Sequence, residues 1–180
     1  MQQVNALSSC GYVYTANVGD AEVKGGELEI DAIVVPDLAV SLNGSYADAA
    51  LVSSTLIGGG FTPGTPIQDV PRWTASGSIA YRHSLSDALT LTARVDNTYV
   101  GSRTDVTFST NTLPSYDLTN LRVGVDGNRW SAVLFVNNVT DKRALLNNIT
   151  QDAINLPTYN RVVVNQPRTV GVDFHYRIGP

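Results

Sequence analysis

The residues of this sequence that could perform acid–base chemistry are few, and two histidines come first. His83 follows a strand-like segment, and His175 lies near the C-terminus, two residues after Asp173. Residues i and i+2 of a strand share a face, so Asp173 and His175 could act together, and Asp96 could lie nearby. Nothing marks one serine among many as a nucleophile. The sequence therefore predicts no catalytic residues and a protein that is not an enzyme.

Metal and phosphate binding have little support either. Cys10 is the only cysteine, and two histidines are too few for a dedicated metal site. The glycine-rich segment LIGGGFTPG, residues 56–64, lacks the Lys-Ser/Thr pair and the helix that a phosphate-binding loop needs. We predict no metal and no cofactor, and we interpret the glycines as part of a surface loop.

Composition narrows the class of protein. Of the 180 residues, 43% are hydrophobic and only 16% are charged, against roughly 25% charged residues in ordinary soluble domains. A net charge of -4 argues against a nucleic-acid partner. No signal peptide opens the chain, and no apolar run approaches the roughly 18 residues of a membrane helix. We expect either a cytosolic protein or a piece of something longer.

Apolar and polar residues alternate along most of the chain, which predicts an all-β fold. The clearest case lies near the C-terminus, where Val170, Val172, Phe174 and Tyr176 share one face. We predict about seven antiparallel strands: residues 11–35, 38–52, 71–85, 88–104, 115–126, 129–143 and 162–178.

The connections between these strands alternate strictly between short and long. Tight turns are predicted at residues 36–37, 84–87 and 126–128, and long links at residues 53–70, 105–114 and 144–161. One end of the sheet then carries turns and the other carries loops. This is typical of an outer-membrane barrel. The sequence thus predicts an up-and-down transmembrane β-barrel segment that contacts outer-membrane lipid.

Aromatic residues on the apolar faces lie toward the two ends of the strands. Trp73 and Tyr81 share a face and would lie roughly 20 Å apart along the membrane normal, at about 3.3 Å per residue and a tilt of about 40°. Two girdles of this kind flank the apolar band of about 25 Å in outer-membrane barrels. The predicted membrane girdle comprises Tyr14, Tyr46, Trp73, Tyr81, Tyr99 and Trp130. An aromatic core in a soluble sandwich is the alternative.

The opposite faces carry the charged residues, which we expect to point into the lumen. They would fit the solvent-exposed face of a soluble β-sandwich equally well, so they do not distinguish a barrel from a sandwich. They are Glu27, Glu29, Asp31, Arg82, Arg94, Asp96, Arg122, Asp173, His175 and Arg177.

Three motifs resemble the C-terminal end of TonB-dependent outer-membrane receptors, and together they cover nearly the whole chain. The segment NVTDKR, residues 138–143, resembles the signature of the family's penultimate strand. The final strand resembles the family's in opening with Pro-Arg and ending in alternating aromatics, and an earlier segment resembles the family's Asn-x-Gly strand. The matching positions are Asn17, Gly19, Gly25, Glu27, Asn138, Asp141, Lys142, Pro167, Arg168, Phe174 and Tyr176. One departure is Gly179-Pro180, where the family usually ends on an aromatic residue.

The resemblance implies that residues 1–180 form the C-terminal portion of a 22-stranded receptor barrel, without its plug domain and N-terminal strands. The implied partners are the rest of the barrel and its plug, the energy-coupling complex that acts through that plug, and the barrel-insertion machinery. The implied function is uptake of a scarce nutrient, such as a siderophore, a vitamin or an oligosaccharide, across the outer membrane. The isolated chain should not transport.

Ligand contacts would come from the long loops and the upper lumen. The candidates are Phe61, Arg103, Asp105, Tyr159, Asn160 and Arg161, although an ordinary hydrated loop explains each of them as well. Two other architectures stay open. One is a complete eight-stranded barrel with a structural or adhesive role, which requires residues 8–35 to form a hairpin at Gly19-Asp20. The other is a soluble β-sandwich that acts as a binding module.

Overall fold

The chain is all-β in the computed structural model, which describes residues 2–7, 13–54, 62–105, 112–151 and 159–179. None of these segments is a helix of the length and apolarity that a membrane-crossing helix needs. The strands within these ranges are β1 (Gln2–Leu7), β2 (Val13–Gly19), β3 (Ala21–Val35), β4 (Leu38–Leu51), β5 (Trp73–Ser86), β6 (Leu89–Val100), β7 (Arg103–Thr104), β8 (Thr112–Leu113), β9 (Tyr116–Gly127), β10 (Trp130–Asn137), β11 (Leu145–Gln151), β12 (Tyr159–Val164) and β13 (Thr169–Tyr176).

Seven of these strands form one antiparallel sheet in the order β13-β10-β9-β6-β5-β4-β3. Each strand of this sheet lies beside the sheet strand that comes before it in the chain, which confirms the predicted up-and-down fold. Three short hairpins, β1–β2, β7–β8 and β11–β12, make up the rest of the described strands. The predicted alternation also holds, because tight turns join β3 to β4, β5 to β6 and β9 to β10 at one end. We call the opposite end the long-loop end.

The register places most of the large apolar residues of the seven strands on one face, although Val133 and Phe135 of β10 lie on the other face, beside Asp173 and Arg122 respectively. Leu42 of β4 lies between Ile30 of β3 and Gly77 of β5, and Leu134 of β10 lies between Val123 of β9 and Val172 of β13. The face is continuous because side chains alternate with a period of two in every strand. Most of its large residues are exposed, including Leu28, Ile79 and Val170. The side chains on the other face are mainly Ser, Thr, Asn and charged residues.

Asn97 of β6 is a polar residue on the apolar face. Its Nδ2 donates a hydrogen bond to Thr119 Oγ1 on the neighbouring β9, at 2.9 Å. The two residues are direct partners in the register. A polar group on an apolar surface is less costly when a neighbour satisfies it, so this pair explains how the sheet accommodates Asn97.

The predicted strand 11–35 is divided in the structure. Gly19 ends β2 with φ 147, and a Cβ at this position would overlap the carbonyl oxygen of Ser53. β2 pairs with β1 and continues almost directly into β3. No hairpin therefore forms at Gly19-Asp20, and the eight-stranded alternative that required one is wrong.

Two other predicted boundaries shift at the long-loop end. The penultimate strand was predicted to run to residue 143, but β10 ends at Asn137 because Asn138 and Asp141 have φ 52. The predicted link 144–161 and the start of the last strand instead contain the β11–β12 hairpin. β13 begins only at Thr169, after the segment that contains Pro167.

Candidate functional site at the long-loop end

The centre of the penultimate motif is Asn138, whose side chain is almost completely buried, with 5% of the residue exposed. Its Nδ2 donates to the carbonyl oxygens of Lys142 at 2.9 Å and Gln166 at 3.0 Å. Its Oδ1 accepts from the Lys142 N–H at 2.9 Å. Both donor hydrogens and one acceptor lone pair are thus used, which is what a buried amide requires.

The backbone of the motif attaches to β9. The Asn138 N–H donates to Asn120 Oδ1 at 2.9 Å, and the Val139 N–H donates to the Thr119 carbonyl at 2.8 Å. The Asp141 N–H closes a tight turn on the Asn138 carbonyl at 2.9 Å. Asparagine tolerates positive φ better than most residues, so its place at the start of this turn has a physical reason.

Asp141 joins the same turn to the last strand. Its Oδ1 accepts a hydrogen bond from the Arg168 N–H at 2.8 Å, and the Arg168 guanidinium donates to the Val139 carbonyl at 3.3 Å. Residues 138–144, which we call the motif turn, therefore connect β9, β10 and the entry to β13. The motif is a structural clamp that sets where the last strand begins.

The Asp141 contact should depend on pH. The hydrogen bond from the Arg168 N–H holds the pKa of the Asp141 carboxyl below its ordinary value of 3.8, with a smaller contribution from the nearby Arg143 guanidinium. Because the pKa is lowered by folding, the contact stabilises the fold at neutral pH and is lost as the pH falls through that lowered pKa. We predict that the Arg168 amide resonance titrates below pH 3.8 in an NMR experiment.

Asp141→Asn is the control, because an amide oxygen accepts the same hydrogen bond without titrating. Its Arg168 resonance should not shift over the same acid range. An Arg168 transition at or above pH 3.8 in the unmodified chain would contradict this assignment.

A second cluster joins three separate loops through Arg103. The Nε of Arg103 lies 2.5 Å from Asp69 Oδ1 in the β4–β5 loop, and its Nη2 lies 2.6 Å from the Leu146 carbonyl at the start of β11. The guanidinium also lies over the Tyr116 ring, 5.9 Å from the centroid. Only 7% of the Arg103 side chain is exposed. The loops are therefore held together by a buried cation.

Backbone hydrogen bonds dock the β4–β5 loop onto β4. The Leu51 N–H donates to the Thr65 carbonyl, and the Ile67 N–H donates to the Ala49 carbonyl, both at 2.9 Å. The Asp69 N–H then donates to the Thr104 carbonyl at 2.8 Å. Leu51 and Leu113 are fully buried beside this arrangement. The described parts of these loops, around Thr65, Ile67, Asp69 and Arg103, are thus packed together, and we call them the Arg103 platform. The sequence alone had suggested ordinary hydrated loops here.

Replacing Arg103 with methionine should destabilise the packing of these loops by about 1–2 kcal/mol, because the loops lose the hydrogen bonds of a buried guanidinium while the half-exposed Asp69 stays hydrated. Hydrogen exchange of the Asp69 amide, measured by NMR, should quicken by about tenfold. Arg72→Met is the matched control. It removes the ion pair between Arg72 and Asp48, whose N–O distance is 3.0 Å and whose side chains are both exposed. The free energy of opening obtained from exchange of the Asp69 amide should then change by less than about 0.5 kcal/mol. Equal effects of the two substitutions would rule out the clamp.

The polar face of the sheet carries ion pairs across its central strands. Asp96 lies 2.7 Å from Arg94 and 3.3 Å from Arg122. Arg82 lies 3.2 Å from Asp126, nearer the turns. One carboxylate thus accompanies two adjacent guanidinium groups at the middle of this face.

Of the six predicted ligand-contact residues, the structure describes the side chains of Arg103 and Asp105. Phe61 lies outside the described residues, and residues 159–161 form the start of β12, for which only the backbone is described. Arg103 and Asp105 are buried, and Asp105 has no exposed surface. Ligand contact stays a prediction for all six, and for the two buried residues it requires the platform to open.

Five of the six predicted girdle residues, namely Tyr46, Trp73, Tyr81, Tyr99 and Trp130, lie toward the two ends of the apolar face. Tyr46 and Trp73 pack together with ring centroids 4.7 Å apart at the long-loop end. Trp130 stacks on Phe174 at 6.5 Å near the turns, and Tyr81 stacks on His83 at 6.0 Å. Tyr99 lies opposite Ala75 in the register, and Tyr14 lies in β2. The assignment to a membrane girdle stays a prediction.

Of the remaining motif positions, Gly25 allows a close backbone contact, and the others are described by the strand and partner beside which they lie. A Cβ on Gly25 would overlap the Tyr46 carbonyl oxygen, so close contact between β3 and β4 requires glycine there. Glu27 lies on the polar face opposite Ser45, and Asn17 lies in β2 opposite Gln3. Tyr176 pairs with Trp130 on the apolar face.

The acid–base candidates are not assembled into a reactive site. His83 Nδ1 lies 2.6 Å from Asp37 Oδ2 at a tight turn, whereas His175 lies opposite Ser131 on the last strand. Among the described residues, no three His, Cys, Asp or Glu side chains are grouped closely enough to hold a metal ion.

Sequence reasoning missed several partners of these clusters. Asp69, Asn120, Leu146 and Gln166 all contribute contacts, and Asp69 does so from a backbone with a positive φ of 58. Asn165 likewise accepts the Ala144 N–H through its Oδ1 at 2.7 Å. Their roles depend on neighbours that are distant in the sequence.

Together, the up-and-down sheet, its tight turns, its interlinked loops and its two contrasting faces define the wall of a large β-barrel. A family model described as "TonB dependent receptor-like, beta-barrel" matches residues 2–139, and the chain belongs to this family. Members of the family are outer-membrane transport receptors rather than enzymes.

Curated relatives include the ferrioxamine B receptor of Salmonella typhimurium, which is 33% identical over 134 residues. That match covers 71% of this chain but only 18% of the relative. The chain therefore spans about a fifth of the length of this relative.

Solved structures with the same fold include two receptors. The ferric yersiniabactin uptake receptor FyuA from Yersinia pestis superposes with a TM-score of 0.76 at 21% identity, covering 91% of this chain and 24% of that receptor. The siderophore receptor PiuA from Acinetobacter baumannii superposes with a TM-score of 0.62 at 21% identity, covering 96% and 23%. At these identities the likeness shows the fold alone.

Proposed function

We propose that this chain forms wall and loops of an outer-membrane receptor that takes up a ferric siderophore. The observation that carries the proposal is the 33% identity to a ferrioxamine B receptor over most of this chain. Of the two solved structures described above, one is a ferric yersiniabactin uptake receptor and the other is a siderophore receptor. A siderophore is accordingly favoured over the vitamin or oligosaccharide that the sequence left open.

The two faces of the sheet support a place in the outer membrane. Exposed Leu28, Leu42 and Ile79 on the apolar face suit lipid, with the predicted aromatic girdles at both ends. The ion pairs around Asp96 suit a hydrated lumen, where charges can pair. The insertion machinery and outer-membrane lipid are the corresponding partners.

The proposed transport partners act from the lumen. The rest of the barrel would extend the sheet, and a plug would contact its polar face and pass on force from the energy-coupling complex. The Arg103 platform and residues 159–161 lie at the long-loop end, where a ligand would arrive. We assign them the initial ligand contact.

The 180-residue chain alone should not transport. Seven of its described strands form one open sheet in which β3 and β13 are the edges, and the other described strands form three separate hairpins, so the described strands do not close into a pore. Lipid requires every backbone polar group to be satisfied, and an open edge does not meet this requirement.

Uptake measurements in cells test the function. Cells that lack the gene containing these residues should lose energised uptake of ⁵⁵Fe-ferrioxamine B and keep uptake of vitamin B12 and maltodextrins. The gene coding for only residues 1–180 should not restore uptake. Unchanged siderophore uptake with loss of another nutrient would refute the substrate class, and restored uptake by the short chain would refute its incompetence.

A further inference from the structure

A polar cavity lies at the turn end of the main sheet. It has a volume of about 510 Å³ and is bounded by the end of β5, the β9–β10 turn and the end of β13. Ligand pockets commonly have volumes of about 300–1,000 Å³. The cavity is therefore large enough for a small organic molecule. The residues that line it include Arg82, Asp126, Arg129, Ser131, His175 and Arg177.

Cations outnumber carboxylates in this cavity. Three arginines line it, and Asp126 is its one acidic residue. Asp126 already has a partner, since its Oδ2 lies 3.2 Å from Arg82 Nη1. Asp173, the next carboxylate along β13, is four residues from Arg177, about 13 Å in an extended chain. In the part of the chain that the structure describes, no ion pair joins Arg129 or Arg177 to a carboxylate.

The two unpaired arginines are neighbours across the end of the sheet. The Arg177 N–H donates to the Arg129 carbonyl at 2.8 Å, one position beyond the register pair of Trp130 and Tyr176. Residues directly opposite each other have Cβ atoms about 4.5–5.5 Å apart, and like charges at such positions repel each other. An anion that contacts both guanidinium groups offsets this repulsion. The arginine pair therefore favours an anionic ligand.

Neighbouring side chains add hydrogen-bond donors to the arginine pair. Ser131 lies two residues from Arg129, His175 lies two residues from Arg177, and the two are direct partners in the register. A hydroxyl and an imidazole can each donate, and each guanidinium offers two parallel N–H groups. A carboxylate has two oxygens to accept these bonds, whereas a phosphate monoester has three and a charge of about −1.5 to −2. The donors thus match a phosphate better than a carboxylate.

We propose that Arg129 and Arg177, together with Ser131 and His175, bind the phosphate group of a small phosphorylated molecule. The ligand enters from the turn end of the sheet, which is the periplasmic end in outer-membrane barrels. The two guanidinium groups hold the phosphate, and the rest of the cavity takes the organic group. The site lies at the opposite end of the sheet from the Arg103 platform, so it does not depend on the ligand contacts assigned there.

An NMR titration of the ¹⁵N-labelled 180-residue chain in zwitterionic detergent micelles tests the site. Inorganic phosphate or glycerol 3-phosphate replaces chloride at constant ionic strength, and acetate is the carboxylate probe. The backbone and guanidinium resonances of Arg129 and Arg177 report binding. Those of Arg122, whose guanidinium is paired with Asp96, are the internal control. A second set of micelles contains phosphatidylglycerol, which separates a lipid headgroup from a free phosphate.

Both phosphate probes should shift the Arg129 and Arg177 resonances to saturation and leave those of Arg122 in place, with or without phosphatidylglycerol. Acetate should bind at least about tenfold more weakly, because it makes at least one charge-assisted hydrogen bond fewer. Arg177→Gln should weaken phosphate binding about tenfold for the same reason, whereas Arg122→Gln should not. Both substituted side chains are exposed, so the other resonances should show an unchanged fold.

Several results would overturn the proposal. Shifts that do not saturate would mean general screening by salt, and equal affinity for acetate and phosphate would exclude a phosphate site. Binding of inorganic phosphate without binding of glycerol 3-phosphate would exclude an organic ligand. A shift that phosphatidylglycerol produces and the free phosphates do not would identify a lipid headgroup instead. Siderophore uptake does not enter the measurement, so failure here and failure of the proposed function are separate results.

Discussion

Asn138→Ala should lower the free energy of unfolding by about 3 kcal/mol, with unfolding in urea monitored in detergent micelles. The side chain makes three hydrogen bonds, two to carbonyl oxygens and one from the Lys142 N–H, and each contributes about 1 kcal/mol. Alanine is also poorly suited to φ 52, which adds to the loss. The turn that joins β9, β10 and β13 should then open.

Two variants separate these causes. Asn138→Gly accepts the positive φ and still loses the side-chain bonds, so it should recover only part of the loss, about 1 kcal/mol or less. Asn128→Ala, at an exposed tight turn, should change stability by less than about 0.5 kcal/mol. If Asn138→Gly were as stable as the unmodified chain, the hydrogen bonds of the clamp would have no part in stability.

Leu42→Arg should destabilise the chain in phospholipid vesicles by about 2–4 kcal/mol, whereas Asn43→Arg should be nearly neutral. Leu42 lies on the apolar face midway between Leu38 and Tyr46, near the centre of the proposed lipid band. Asn43 lies on the polar face opposite Glu29, where an added guanidinium gains a carboxylate neighbour. Urea unfolding of both variants in vesicles measures the difference.

A second comparison measures the cost of Leu42→Arg in two surroundings, one with lipid and one without. Leu42 is 51% exposed to solvent in the sheet, so Leu42→Arg should cost little wherever water, rather than lipid, covers the apolar face. A large cost in vesicles and a small one in a lipid-free amphipathic polymer would identify lipid as the contact. Equal costs for Leu42→Arg and Asn43→Arg in vesicles would remove the basis for assigning the faces.

Local patterning predicted the strands of the main sheet well. Pro36-Asp37 and the Asp126-Gly127-Asn128 segment carry turn chemistry that fixes chain reversals within a few residues, and strict alternation fixes which side chains share a face. Each of these signals is confined to neighbours in the sequence. For that reason β4, β5 and β9 lie within about two residues of their predicted bounds.

The structure of the loops was predicted poorly because it depends on contacts with residues that are distant in the sequence. Nothing near Arg103 in the sequence points to Asp69 or Leu146, which the fold brings to its guanidinium. The same holds for Asn138, whose motif was recognisable although its role was not, since Asn120 and Gln166 are 18 residues before it and 28 after it.

The sequence by itself determined the all-β class, the up-and-down order, the contrast between the two faces and the resemblance to TonB-dependent receptors. Periodicity and turn residues are local properties, and they survive in any segment of such a barrel. Only the tertiary structure decided that the motif turn clamps β13, that Arg103 holds three loops together and that β1 pairs with β2. Those facts rest on hydrogen bonds and register between segments far apart in the chain, which a pattern of neighbouring residues does not encode.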